Sequence, residues 1–251
     1  MLHIDLNCDL GEGVGNDAAI MPYISSANIA CGFHAGDENT MWHTAEQCVA
    51  AGVAIGAHPS FHDRANFGRV EQELAPAAVY ELVIQQLLLM EEIASAAGGH
   101  VVHVKPHGAL YNMAARDREL AKAIATAVKN FNSHLCLFGL SGSILIDEGK
   151  AAGLTTLSEV FADRTYQDDG SLTPRSQPGA LITDTETAVK HALQMVKEGT
   201  VTSTSGKVIP VVAETVCLHG DGAHALVFAQ AIHAALKAEG ISITPKKNFT
   251  T

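Results

Sequence analysis

The chain has 251 residues, 47% of them hydrophobic and 17% charged, which is the balance of a globular protein able to bury a large core. Its 27 acidic and 16 basic residues give a formal charge of −11, which argues against a nucleic-acid binder, since that needs clustered Lys and Arg. No basic segment leading into an apolar stretch opens the chain, and no run of about 18 apolar residues occurs, so neither a signal peptide nor a membrane span is expected.

The first predicted strand, His3–Cys8, carries Asp5, Asn7 and Asp9 in alternation, so all three point to one side while the backbone stays extended. Glu12 follows among glycines. A second strand, Ala27–Cys31, runs into Gly32-Phe33-His34, and Asp37 is placed to cap a helix over Glu38–Ala51. The third strand, Val53–Ala57, ends in His58-Pro59 and a loop holding His62, Arg64 and Arg69. Either arginine has the fork that grips a carboxylate. The helix over Ala75–Ala97 shows Val79, Leu82, Val83 and Leu87 at helical spacing, with Gln86 as one polar exception in the stripe.

The fourth strand, Val101–Val104, meets Lys105-Pro106-His107; a Lys beside a His at a strand end is hard to read as solvated surface. A helix over Arg116–Asn130, a strand over Leu135–Phe138 and a helix over Ser143–Ala152 follow. The sixth strand, Thr155–Phe161, carries Glu159 and leads into Asp163-Arg164, with Arg175 downstream. Asp184 is placed to cap a helix over Thr185–Lys197. A last strand, Ile209–Cys217, ends in His219-Gly220-Asp221, where Asp221 resembles a cap for a helix over Asp221–Glu239. Gly98-Gly99 and Gly240 are placed as helix stops.

Strand-then-helix repetition implies an α/β fold with a parallel sheet. Periodicity does not separate a closed barrel from an open sheet. Nearly every strand, however, runs into polar residues at its C-terminal end. In a barrel those ends ring one mouth, whereas in an open sheet they spread along an edge. The barrel is the simpler account, as one domain over residues 1–251. The bland readings are turn chemistry for Asp5 to Glu12 and a hydrogen-bonded structural role for a lone His.

The five scattered cysteines lack CxxC spacing, which favours reduced thiols in the cytoplasm. Thirteen histidines raise the question of a metal. The i, i+4 pairs His58/His62 and His103/His107 are interrupted by Pro59 and Pro106, so neither is a helical ligand face, and the metal stays open. Gly206-Lys207 is followed by Val208 where a P-loop needs Ser or Thr, and Gly11 to Gly15 lack the GxGxxG spacing, so no nucleotide cradle is recognisable.

The segments DLNCDLGEG at 5–13, ACGFHAGD at 30–37, GAHPSF at 56–61, KPHGALYN at 105–112, EVFADR at 159–164 and LHGD at 218–221 closely resemble the LamB/YcsF family. The resemblance covers nearly the whole chain; the loop over residues 62–69 lacks a proline that the family more often carries. It implies a seven-stranded β/α barrel of the glycoside hydrolase/deacetylase type. It also implies ATP-dependent opening of the lactam of 5-oxo-L-proline to L-glutamate, together with subunits B and C. ATP is then expected to be bound by those partners. Expected catalytic residues are Asp9 or Glu12 as general base, with His34 or His58 as alternatives, and Lys105 and His107 as stabilisers of developing charge. Arg64, Arg69 or Arg175 is expected to hold the substrate carboxylate, with Asn7, Glu159, Asp163, Arg164 and His219 also lining the substrate. Two rival readings are a stand-alone metal-dependent deacetylase or amidohydrolase and a non-catalytic ligand-binding subunit.

Overall fold

A computed structural model of the protein describes residues 2–222 and 224–246. Its strands are β1 (His3–Leu10), β2 (Ser26–Ala30), β3 (Ala54–His58), β4 (Val101–Val104), β5 (Cys136–Leu140), β6 (Thr155–Phe161), β7 (Thr200–Thr202), β8 (Val208–Pro210), β9 (Thr215–His219) and β10 (Ser242–Ile243). The α-helices are α1 (Asp17–Ile20), α2 (Glu38–Ala51), α3 (Pro76–Ala96), α4 (Gly108–Ala114), α5 (Arg118–Phe131), α6 (Ile144–Ala151), α7 (Thr185–Glu198) and α8 (Ala225–Ala238).

Seven parallel strands, β1 to β6 and β9, pair in order, and β9 returns to β1 to close a barrel. The expected barrel is therefore present. β10 adds to the start of β1, and β7 and β8 form a separate antiparallel ribbon.

The fold departs from the sequence expectation at the last strand, and β7 and β10 are strands that the sequence reading does not include. Ile209–Cys217 is two pieces, β8 and β9, because Pro210 has no N–H to continue a ladder and the chain turns before Thr215. The short helices α1 and α4 are additions to the expected elements; α1 follows the glycine-rich stretch Gly11 to Gly15, and α4 begins inside the motif over residues 105–112. Asp37 and Asp184 do cap α2 and α7, accepting hydrogen bonds from the amides of Thr40 and Thr187. Asp221 does not cap α8, which begins only at Ala225 after His224 and has no side-chain cap. Asp221 instead accepts from Arg69 at 2.5 Å.

The alternation of β1 divides two chemistries. Ile4, Leu6, Cys8 and Leu10 join the main core shared with the surrounding helices, while Asp5, Asn7 and Asp9 bond to side chains of other barrel strands. The barrel interior is thus largely polar, with a small apolar plug of Cys136, Phe138 and Leu157. Charge inside a barrel is costly unless paired, and here Asp5, Asp9 and Glu159 all have hydrogen-bond partners.

Candidate active site

The strand ends converge on a pocket of about 880 Å³ whose lining includes Asp9, His58, Lys105, His107, Phe161 and His219. Its wall is built by Tyr111 of α4 and by the loop after β6, which brings in Arg164 and Arg175; Arg69 lines the pocket as well.

Lys105 organises the floor. Its ammonium lies 2.8 Å from Asp9 Oδ1, 3.1 Å from Glu159 Oε1 and 2.9 Å from Cys217 Sγ. Burial opposes its charge, but Asp9, Cys217 and Glu159 outweigh that and hold the lysine well above its usual range. For Asp9 burial likewise opposes charge, yet His58 and Lys105 hold the carboxyl well below the usual range. Beneath them Asn7 donates to Glu159 at 2.9 Å and Thr215 at 2.7 Å, and Asn28 donates to Asn7 and Asp9. Tyr111 donates to the second oxygen of Glu159 at 2.7 Å.

Across the pocket, the backbone N–H of His219 and its Nδ1 donate to Asp163, the latter at 2.8 Å. This leaves Nε2 of His219 directed toward Asp9, 4.0 Å from Oδ2. Burial works against the Asp163 charge, but the contact with His219 outweighs it and keeps the carboxyl low. A carboxylate that fixes an imidazole in this way prepares it to take and return a proton.

Beside His58 and His107 lies a second group. His34 and His107 stack with ring centroids 3.8 Å apart, and Glu12 Oε1 lies 3.5 Å from His34 Nε2 and 3.9 Å from His107 Nδ1. Burial, followed by neighbouring histidines, pushes His34 and His107 well below the usual imidazole range. Burial, then Asp9 and Asp221, pushes the Glu12 carboxyl well above its own.

Thus Asp9, His58, Lys105, His107, Arg69, Arg164, Arg175 and His219 face the pocket, Asn7 and Glu159 support its floor, and Asp163 stands behind His219. Glu12 and His34 sit behind the two lining histidines. Arg64 does not reach the pocket; its guanidinium donates to the carbonyls of Gly32 and Gly36 at 2.6 and 2.8 Å and ties two loops together. Arg164 lines the pocket, but its guanidinium donates to the carbonyls of Thr173 and Ala180. Sequence reasoning passes over Asn28, Tyr111, Thr215 and Cys217. Asn28 and Thr215 carry one signal, a polar side chain at an alternate position of an otherwise apolar strand.

Residues 4–251 match the LamB/YcsF family. The chain belongs to that family. The A subunit of a 5-oxoprolinase from Brevibacillus brevis is 51% identical over 251 residues, covering 98% of this chain and 99% of the relative. The crystal structure of a lactam utilization protein from Thermus thermophilus superposes with a TM-score of 0.90 at 43% identity, covering 97% of this chain and 99% of that one. A peptidoglycan deacetylase from Bacillus subtilis shares the fold at a TM-score of 0.52 and 12% identity, covering 99% of this chain and 89% of that one. This LamB/YcsF barrel has no helix, among its described residues, long and apolar enough to cross a membrane.

Proposed function

We propose that this chain is the A subunit of a cytoplasmic, ATP-dependent 5-oxoprolinase and that it opens the activated lactam of 5-oxo-L-proline to L-glutamate. The name of the 51% identical relative supports the reading, and one observation of the site carries it: Asp163 holds His219 so that its free nitrogen faces anionic Asp9 across 4.0 Å. A water between them has an acceptor on each side. It adds to the lactam carbon as His219 takes its proton; the carbon–nitrogen bond then breaks as His219 returns the proton to the ring nitrogen, and a second water displaces the phosphoryl group carried by the activated oxygen as phosphate, leaving glutamate. Arg175 and Arg69, at the pocket wall, hold the substrate carboxylate. Lys105 is engaged by Asp9, Glu159 and Cys217, so we assign it to keeping Asp9 anionic rather than to receiving charge from the substrate.

The sequence offers no phosphate-binding loop, so ATP chemistry is assigned to partner subunits B and C. The test is glutamate release from 5-oxoproline by the purified chain, with and without ATP and both partners. Release only with all components is expected, and His219→Gln should lower turnover by about a hundredfold or more, as loss of a general acid–base group does. Release by the chain alone would favour an independent hydrolase. Full activity of the His219→Gln complex would make this barrel a ligand-binding subunit.

A further inference from the structure

The hydrogen bonds around three histidines aim three ring nitrogens with no backbone or hydroxyl partner into one space. His58 Nδ1 lies 2.7 Å from the carbonyl of Lys105, and a carbonyl only accepts, so this nitrogen carries the proton and Nε2 keeps a lone pair. His107 Nε2 lies 2.9 Å from the carbonyl of Phe67, so its Nδ1 keeps the lone pair. Ser60 gives its hydroxyl proton to the carbonyl of Phe61 and therefore accepts from His34 Nδ1 at 2.8 Å. That leaves a lone pair on His34 Nε2, a buried atom with no hydrogen-bond partner among the described residues.

All three lone pairs point into one space. His58 Nε2 and His107 Nδ1 face each other at 2.9 Å, a contact that needs a cation between them, either a second proton on His58 or a metal ion. Glu12 Oε1 joins them, and the four ligand atoms all lie within 4.8 Å of one another. Asp9 Oδ2, 3.4 Å from His58 Nε2, adds a further acceptor at the edge. The space is thus ringed by acceptors.

We propose that Glu12, His34, His58 and His107 bind one divalent transition-metal ion of the zinc class. Tetrahedral zinc with bonds of about 2.0–2.1 Å sets its ligand atoms roughly 3.3 Å apart. The spacings of 2.9, 3.5 and 3.9 Å straddle that value. Three imidazoles with one carboxylate suit zinc, cobalt or nickel and not calcium or magnesium, which want oxygen. Each imidazole has its other nitrogen fixed by a carbonyl or hydroxyl, as ligating histidines do. Phe67, whose carbonyl fixes His107, is held at a φ of 56°, a costly conformation for a bulky residue. Next to it Gly68 packs so closely that an added Cβ would lie 2.9 Å from His34 Cβ and 3.0 Å from His107 Cδ2, so this loop closes over the two rings.

The neighbouring group of Asp9, Cys217 and His219 is different, because the Lys105 ammonium already sits against Asp9 and Cys217 and serves as its cation. One ion per chain is therefore expected. Since His58 and His107 also line the pocket, the ion lies at its floor, beside Asp9.

The metal group borders the same pocket but needs no particular substrate to bind an ion, so the test uses neither 5-oxoproline nor ATP nor partners. The full chain is stripped with a chelator and titrated with Zn²⁺ and with Co²⁺, read by metal content after gel filtration, by visible absorption and by thermal unfolding. One ion per chain, intense four-coordinate cobalt bands and a raised Tm are expected. The His34→Gln/His107→Gln double variant should lose all three responses. Ser60→Ala, which keeps every ligand but releases the His34 ring, should weaken binding by about 10–100-fold. Stripped wild-type chain that takes up no more Zn²⁺ or Co²⁺ than the double variant would overturn the proposal and leave His58 and His107 sharing a proton. An ion bound by a chain that releases no glutamate even with ATP and both partners would overturn the functional reading and leave this one intact.

Discussion

At the scale of single residues, Lys105 shows what a buried charge does in this barrel. Its ammonium is 2% exposed and sits between two carboxylates that are equally buried. The net value of such a cluster is small, because desolvation offsets attraction, but removing its centre leaves two uncompensated anions. Lys105→Met, close in shape, should therefore destabilise the protein by about 3–5 kcal/mol. Urea unfolding at neutral pH measures this, and adding Asp9→Asn and Glu159→Gln to the variant should restore part of the loss. A change below about 1 kcal/mol in Lys105→Met would mean that the carboxylates have taken up protons instead. Arg64 and Arg164 carry a related lesson. In sequence they look like substrate clamps, since an arginine near a polar motif looks the same whether its guanidinium meets a ligand or a backbone carbonyl. Only the fold distinguishes the two.

At the scale of elements, the polar exception in the α3 stripe has a clear role. Gln86 is fully buried; its Oε1 accepts from the amide of Ser60 and its Nε2 donates to the carbonyl of Ser60, both at 2.9 Å. The amide thus pairs with the chain just after β3 as a neighbouring strand would. Ser60 in turn fixes His34, so a helix on the outside of the barrel sets the geometry of the histidine group inside it. Gln86→Leu makes the stripe more hydrophobic and would look favourable from the sequence. It should instead destabilise, by about 1–3 kcal/mol for each buried backbone group left unpaired, as read from the urea midpoint. The helix itself was legible, because its apolar period is local information. So were the caps Asp37 and Asp184, though not Asp117, which caps α5, while Asp221 resembles a cap in the sequence and is none; the polar strand ends pointed to both the barrel and the ring of candidate residues. The split of Ile209–Cys217 was not legible, since Val211, Val212 and Ala213 keep the apolar run going past the proline. Nor was the pairing of Asp163 with His219, which joins residues 56 positions apart through the closure of β6 on β9.

At the scale of the whole molecule, closure itself rests on a buried carboxylate. Asp5 of β1 accepts from Ser25 at 2.7 Å and Ser26 at 2.6 Å on one oxygen and from Thr215 of β9 at 2.5 Å on the other. It therefore stitches the first barrel strand to the last and to the start of β2. Burial raises its pKa more than the three hydroxyls lower it, and Glu159 adds to the rise. In the unfolded chain the same carboxyl titrates near ~3.9. Between that value and the raised folded one, the native state holds more protons than the unfolded state, so this group's contribution to stability falls as pH rises across the window. Above the window the loss is complete and constant. Asn in place of Asp5 keeps the shape, still accepts from Ser25 and Ser26, and cannot ionise; Thr215 can turn its hydroxyl to accept from the new amide. Measured by urea unfolding from pH 4 to 7, the stability of Asp5→Asn relative to wild type should therefore climb with pH and then level off. A difference that stays flat over that range would show that Asp5 titrates in the barrel as it does in the open chain, and that its three hydroxyl partners offset the whole cost of its burial.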